Sequence, residues 1–173
     1  MDNFIPDMYQ KSIYHIDYEK LKENGIKCLL FDLDNTCIPY RVKEPNKKLI
    51  DLFETLKDMD FKVIIFSNAS KKRLYPFKNI LNVDCSARSR KPSVRKLLKI
   101  LKMFKYELSD VAIIGDQLCT DILCGNKVGI KTILVNPMSR EDMILTKIFR
   151  FIENRVFKKM AKMDILKKGK YYE

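Results

Sequence analysis

Short apolar runs recur along this chain at Cys28–Phe31, Phe61–Phe66, Val111–Ile114 and Thr132–Val135, with a weaker one near Val83–Ser86. Turn-forming residues bound them: Asn24-Gly25 before the first, Ser67-Asn68 after the second, Gly115-Asp116 and Asn136-Pro137 after the last two. Apolar runs of this length between turn signals read as strands buried on both faces. The segments between them follow helical spacing instead. Leu49, Leu52, Phe53, Leu56 and Met59 make one stripe, and Val94, Leu97, Leu98, Leu101 and Phe104 another, which Pro92 is expected to open. A helix from about Lys71 to Ile80 is expected to be interrupted at Pro76, and one from about Thr120 to stop at Gly129. Strands alternating with helices imply right-handed crossovers. The expected fold is α/β: three layers, doubly wound, a mostly parallel sheet with helices on both faces.

The ends of the chain differ from this pattern. Residues 1–25 read as an N-terminal extension to a single domain spanning 1–173. Residues 139–173 read as a basic amphipathic helix and tail, with Leu145, Ile148, Ile152, Val156 and Met160 on an apolar stripe and Lys147, Arg150, Arg155, Lys158, Lys159 and Lys162 around it. Glu153, Asp164 and Glu173 oppose that charge weakly. The stripe suits packing on the sheet layer; a basic amphipathic helix also suits an anionic membrane.

Composition narrows the class. With 173 residues, 46% hydrophobic and 32% charged, the chain can bury one proper core. No apolar stretch approaches the ~18 residues of a membrane span, and the start carries no secretory pattern. The five cysteines lack C-x-x-C spacing, and the lone His15 leaves no zinc ligand set. Reduced thiols and a cytoplasmic location are expected. The formal net charge of +12 fits an anionic partner, although a lysine-solvated surface gives the same number.

The candidate chemistry lies at the strand ends. Asp32 and Asp34 follow the first strand, Ser67 and Asn68 the second, Arg88, Arg90 and Lys91 the third, and Asp116 with Asp121 the fourth. In a parallel sheet these ends share one edge, where open α/β sheets bind ligands. Acidic groups buried there need positive charge, which a bound Mg²⁺ would supply.

With these residues in order, the chain resembles the haloacid dehalogenase-like (HAD) phosphatases. The resemblance rests on Phe31-Asp32-Leu33-Asp34-Asn35-Thr36, Phe66-Ser67-Asn68, Lys91-Pro92, and Gly115-Asp116-Gln117 through Thr120-Asp121. It implies a Rossmann-like core, with Asp32 as nucleophile forming an aspartyl phosphate and Asp34 as general acid, then base. Mg²⁺ would be held by Asp32, the Asp34 carbonyl and Asp116, with Asp121 in support. Ser67, the Asn68 amide and Lys91 would hold the phosphoryl group. The segments Cys37–Pro45 and Ser86–Lys91 are too short for a large cap domain, so an open site is expected.

The chain also looks like the subfamily IIIA branch akin to mitochondrial and bacterial phosphatidylglycerophosphate phosphatases, on Pro6, Tyr9, Ser12-Ile13-Tyr14 and the motifs above. That branch implies a phospholipid head group as substrate and peripheral contact at the inner face of an anionic membrane. Arg41, Lys43, Arg88 and Arg90 are basic loop candidates for the head group. A nucleic-acid end, a phosphoprotein or a small metabolite would use the same machinery. A non-catalytic module binding RNA or an acidic partner is less favoured, because every catalytic residue type is present. The sequence does not fix an oligomeric state.

Overall fold

A computed structural model describes residues 2–139 and 144–173, with the side chains of 144–149 not described. Six strands form one sheet: β1 (Met8–Gln10), β2 (Cys28–Phe31), β3 (Lys62–Phe66), β4 (Asp84–Ser86), β5 (Val111–Gly115) and β6 (Lys131–Val135). Every pairing is parallel and the spatial order is β1-β6-β5-β2-β3-β4. From β2 the chain winds outward through β3 to β4, then returns to the other side of β2 for β5 and β6. The direction therefore reverses between β2 and β5, and a crevice opens at the carboxyl ends of those two strands.

Strand periodicity divides the core. Leu29, Phe31, Val63, Ile65, Ala112 and Ile114 pack one face with residues of α1 (Tyr18–Glu23), α2 (Lys47–Asp58) and α3 (Lys71–Leu81). Their neighbours Cys28, Leu30, Ile64, Phe66, Val111 and Ile113 point the opposite way, against Leu97, Ile100 and Leu101 of α4 (Arg95–Phe104) and Cys124 of α5 (Leu123–Val128). At Gly125 a Cβ would stand 2.4 Å from Thr132 and 2.6 Å from Ile113, so only glycine lets α5 lie this close to the sheet. Among the described residues no large cap interrupts the core.

Several expectations are corrected. The helix over Pro76 is continuous from Lys71 to Leu81, capped by the Ser70 side chain accepting from the Arg73 amide. Pro76 costs α3 one backbone bond, while Leu74, Phe77 and Leu81 stay buried and hold the helix through it. Helix α4 begins at Arg95, three residues after Pro92. The expected N-terminal extension adds strand β1 to the edge of the sheet. This strand has only three residues, Met-Tyr-Gln, and no apolar run announces it. The C-terminal tail then covers the edge: Tyr9 and Tyr172 exchange backbone hydrogen bonds of 2.8 and 2.9 Å.

Helix α6 (Ile144–Lys162) is present, but its expected stripe divides. Val156 and Met160 pack inward with Tyr9, Leu118, Ile122 and Leu134, whereas Ile152 faces outward, 44% exposed. Leu145, Ile148 and Lys147 lie outside the described side chains. Glu153, expected only to oppose the basic charge weakly, is buried. Among the described side chains, Arg150 and Glu153 of this helix turn toward the sheet edge.

Candidate active site

The loop after β2 is shaped by its own sequence. Leu33 is fully buried, which sends its neighbours Asp32 and Asp34 away from the core. Asn35 adopts a left-handed backbone (φ 63°), a conformation asparagine tolerates better than most residues. Its side-chain oxygen accepts from the Tyr40 amide at 3.1 Å and the Ser139 hydroxyl at 2.6 Å, which ties the loop to the segment after β6. Thr36 donates its hydroxyl to Asp116 Oδ1 at 2.9 Å, joining the ends of β2 and β5.

The loops after β3 and β4 are stitched together in the same way. The Ser89 amide donates to the Ser67 carbonyl at 2.9 Å. Asn68 and Lys91 are reciprocal: the Lys91 amide donates to Asn68 Oδ1 at 2.7 Å and Asn68 Nδ2 donates to the Lys91 carbonyl at 3.1 Å. This places the Lys91 ammonium in the crevice, where it donates to Asp32 Oδ1 at 2.7 Å, Asp121 Oδ1 at 2.6 Å and the Phe66 carbonyl at 2.8 Å. All three ammonium donors are thus used. Burial alone would lower the Lys91 pKa, but Asp121 and Asp32 outweigh it and hold the group charged.

Asp121 reaches the crevice from a wide helical turn, Leu118–Ile122, that precedes α5. Its carboxylate lies against Gly115: a Cβ there would stand 2.2 Å from Asp121 Cγ, so the Gly-Asp pair at the end of β5 needs its glycine for close approach. Asp32, Asp116 and Asp121 bring oxygens within 4.8 Å of one another, all three buried. Burial raises Asp116 to about 6 against the pull of Arg150, and Asp121 to about 7 against the pull of Lys91. Hard carboxylate oxygens at this spacing fit a Mg²⁺-type cation better than a soft thiophilic metal.

The Asp34 carboxylate stands apart from that cluster. Arg73 of α3 donates to its Oδ1 from Nε at 3.1 Å and Nη2 at 2.8 Å, and also to the carbonyls of Tyr40 and Val42. Burial raises the Asp34 pKa and the Arg73 bonds pull it down, with the rise prevailing. Ser67 Oγ accepts from the Ala69 amide at 3.1 Å, within the same loop cluster. Arg41, Lys43, Arg88 and Arg90 are exposed around the site, while His15 lies exposed outside it, against Ser12.

Sequence reasoning missed three residues. Arg73 has no local signal; it reads as one more base in Lys71-Lys72-Arg73. Arg150 donates to both the carboxylate and, at 3.1 Å, the backbone carbonyl of Asp116. Glu153 accepts from Arg150 at 3.2 Å and from the Cys119 amide at 3.0 Å. The i,i+3 spacing of Arg150 and Glu153 is the one clue that they share a helix face.

The chain is similar to known proteins. A family model described as HAD-hydrolase-like matches residues 89–143. Probable phosphatase YqeG of Bacillus subtilis (strain 168) is 37% identical over 153 residues, covering 88% of this chain and 89% of that one. Phosphatidylglycerophosphate phosphatase 1, chloroplastic/mitochondrial, of Arabidopsis thaliana is 28% identical over 173 residues. That match covers 93% of this chain but 49% of the relative, so the chain spans about half the length of the plant protein. Among solved structures, the cobalt-bound deoxy-D-mannose-octulosonate 8-phosphate phosphatase of Haemophilus influenzae superposes with a TM-score of 0.53 at 15% identity, over 82% of this chain and 92% of that one. The parallel sheet, the carboxylates gathered where its winding reverses, and a relative alike over nearly the whole length lead to one assignment: the chain belongs to the haloacid dehalogenase-like phosphatases.

Proposed function

We propose that the protein is a Mg²⁺-dependent phosphomonoester hydrolase that works through an aspartyl phosphate on Asp32, with a phospholipid phosphate, phosphatidylglycerophosphate, as its substrate. The observation that carries the chemistry is the convergence of Asp32, Lys91, Asp116 and Asp121, drawn from three separate loops, at one sheet edge. Lys91 orients Asp32 by holding Oδ1, and the other oxygen attacks phosphorus. As the Asp32–phosphorus bond forms, the bond to the leaving oxygen breaks and Asp34 delivers a proton to that oxygen. Asp34 then takes a proton from water; the hydroxide attacks phosphorus, the bond to Asp32 breaks, and inorganic phosphate leaves. Asp32, Asp116 and the Asp34 carbonyl would hold the cation, with Asp121 in support, and a bound cation would neutralise charge on the phosphoryl oxygens. Ser67, the Asn68 amide and Lys91 bind those oxygens.

The lipid reading is supported by the names of the plant and algal relatives, both called phosphatidylglycerophosphate phosphatases, by the absence of a large cap over the site, and by α6. The outward face of that helix presents Phe151, Ile152, Arg155, Lys158, Lys159 and Lys162, all exposed and without an acidic residue among them. Such a face suits peripheral contact with an anionic bilayer. Among the described residues no helix is long and apolar enough to cross a membrane. We place the protein in the cytoplasm, at the inner face of the membrane.

The test compares phosphate release from vesicle-borne phosphatidylglycerophosphate with release from soluble sugar, nucleotide and aryl phosphates. The lipid should be turned over most efficiently, and Asp32→Asn should lose at least ~10³-fold on every substrate. A preference for the soluble panel would remove the lipid reading; activity persisting in the variant would remove Asp32 as nucleophile.

A further inference from the structure

The C-terminal helix places a cation of its own on the carboxylate that the metal needs. Arg150 grips Asp116 at Oδ2 and at the backbone carbonyl, while Thr36 occupies Oδ1. The Asp116 side chain is fully buried, so solvent offers it no alternative partner. Arg150 is not a loose surface residue that happens to reach inward. Glu153, one helical turn on and itself buried, holds the guanidinium from behind and is anchored to the Cys119 amide in the loop that carries Asp121.

We propose that Arg150 competes with the divalent cation for Asp116, so that α6 sets how tightly the site takes its metal. Two positive charges cannot share one carboxylate oxygen without strong repulsion in a buried setting. The balance of charge points the same way. Among the described residues, five carboxylates (Asp32, Asp34, Asp116, Asp121 and Glu153) meet three basic side chains (Lys91, Arg73 and Arg150). Lys91 and Arg73 are held within the core fold, by loops and by α3. Arg150 alone comes from an element that packs on the sheet from outside, by Val156, Met160 and their neighbours. It is the positive charge that can leave without disturbing the nucleophile or the proton donor.

This inference rests on the reading of the aspartate cluster as a cation site, and the experiment separates the two. Mn²⁺ binding, followed by electron paramagnetic resonance, is measured without substrate for the unaltered protein, Arg150→Gln and Arg150→Lys. Removing the competitor should tighten binding roughly tenfold in Arg150→Gln, with Arg150→Lys between the two. Binding that is unchanged or weaker in Arg150→Gln overturns the competition while leaving the cation site in place. Absence of binding in all three overturns both. Thermal unfolding of each variant reports whether it is folded. Should Arg150→Gln fail to fold, amide hydrogen exchange of the unaltered protein decides. Adding Mn²⁺ should speed exchange across Ile144–Lys162 as the guanidinium is displaced, and exchange that is unchanged or slower overturns the proposal.

Discussion

Two carboxylates at this site, the half-buried Asp34 and the buried Asp116, are each gripped by an arginine, and the two grips differ in origin. Arg73 belongs to α3, inside the central fold, and it ties Asp34 to the Tyr40 and Val42 carbonyls of the loop after β2. Arg150 belongs to α6, at the end of the chain, and it ties Asp116 to an outer helix. In the proposed mechanism the first grip would fix the direction of a proton donor without closing the site, because it takes Oδ1 alone. The second covers a carboxylate proposed to hold a cation. On this reading the same kind of ion pair serves positioning in one place and competition in the other, according to what the carboxylate must do next.

The largest effects should come from removing the two carboxylates. Asp34→Asn should lower turnover of an alkyl phosphate by ~10²–10⁴-fold while leaving Mn²⁺ affinity nearly intact. Asp116→Asn should instead lose cation binding, and activity with it. If both variants lose cation binding equally, the division of roles between the two aspartates fails. Next is the grip on the proton donor. Arg73→Ala should cost roughly 10²-fold on an alkyl phosphate, whose leaving oxygen needs a proton, and about tenfold or less on an aryl phosphate, whose leaving group does not. Equal losses on both esters would make Arg73 merely structural.

A smaller effect follows from pH. Burial holds Asp116 and Asp121 protonated up to about 6 and about 7 respectively. A cation takes ionised carboxylates, so its binding must displace those protons and weakens as pH falls through these values. Calorimetric titration should show roughly tenfold weaker Mg²⁺ binding at about pH 6 than at about pH 8. The smallest effect separates the two faces of α6. Lys159→Gln, on the outward face, should weaken binding to anionic vesicles by about fivefold, on the order of 1 kcal/mol per surface lysine, with no change in Mn²⁺ affinity. Sedimentation with vesicles measures the first quantity; a change in the second would mean that the two faces are not independent.

Much of this molecule is visible in local sequence. The apolar runs at β2, β3, β5 and β6 mark buried strands, because a parallel strand covered on both faces needs apolar side chains both ways. The site aspartates and Ser67 are visible because each follows such a run, and Lys91 because it follows the weaker run near Val83–Ser86; parallel strands put all these ends on one edge. Strand β1 is not visible, since its pairing with β6 is with residues 125 positions away and its three residues carry no pattern. Pro76 misleads for a related reason: the local rule says break, and buried Leu74, Phe77 and Leu81 carry the helix through.

What the sequence determined by itself is the set of elements and the chemical groups at their ends, because strand periodicity and turn chemistry act over a few residues. The tertiary structure decided which charges meet. Arg73 lies 39 residues from Asp34 and Arg150 lies 34 from Asp116, and in sequence each arginine looks like one more solvated base. Only packing of α3 and α6 against the sheet removes water from around them, and in that setting a carboxylate is the partner that makes burial of a guanidinium tolerable.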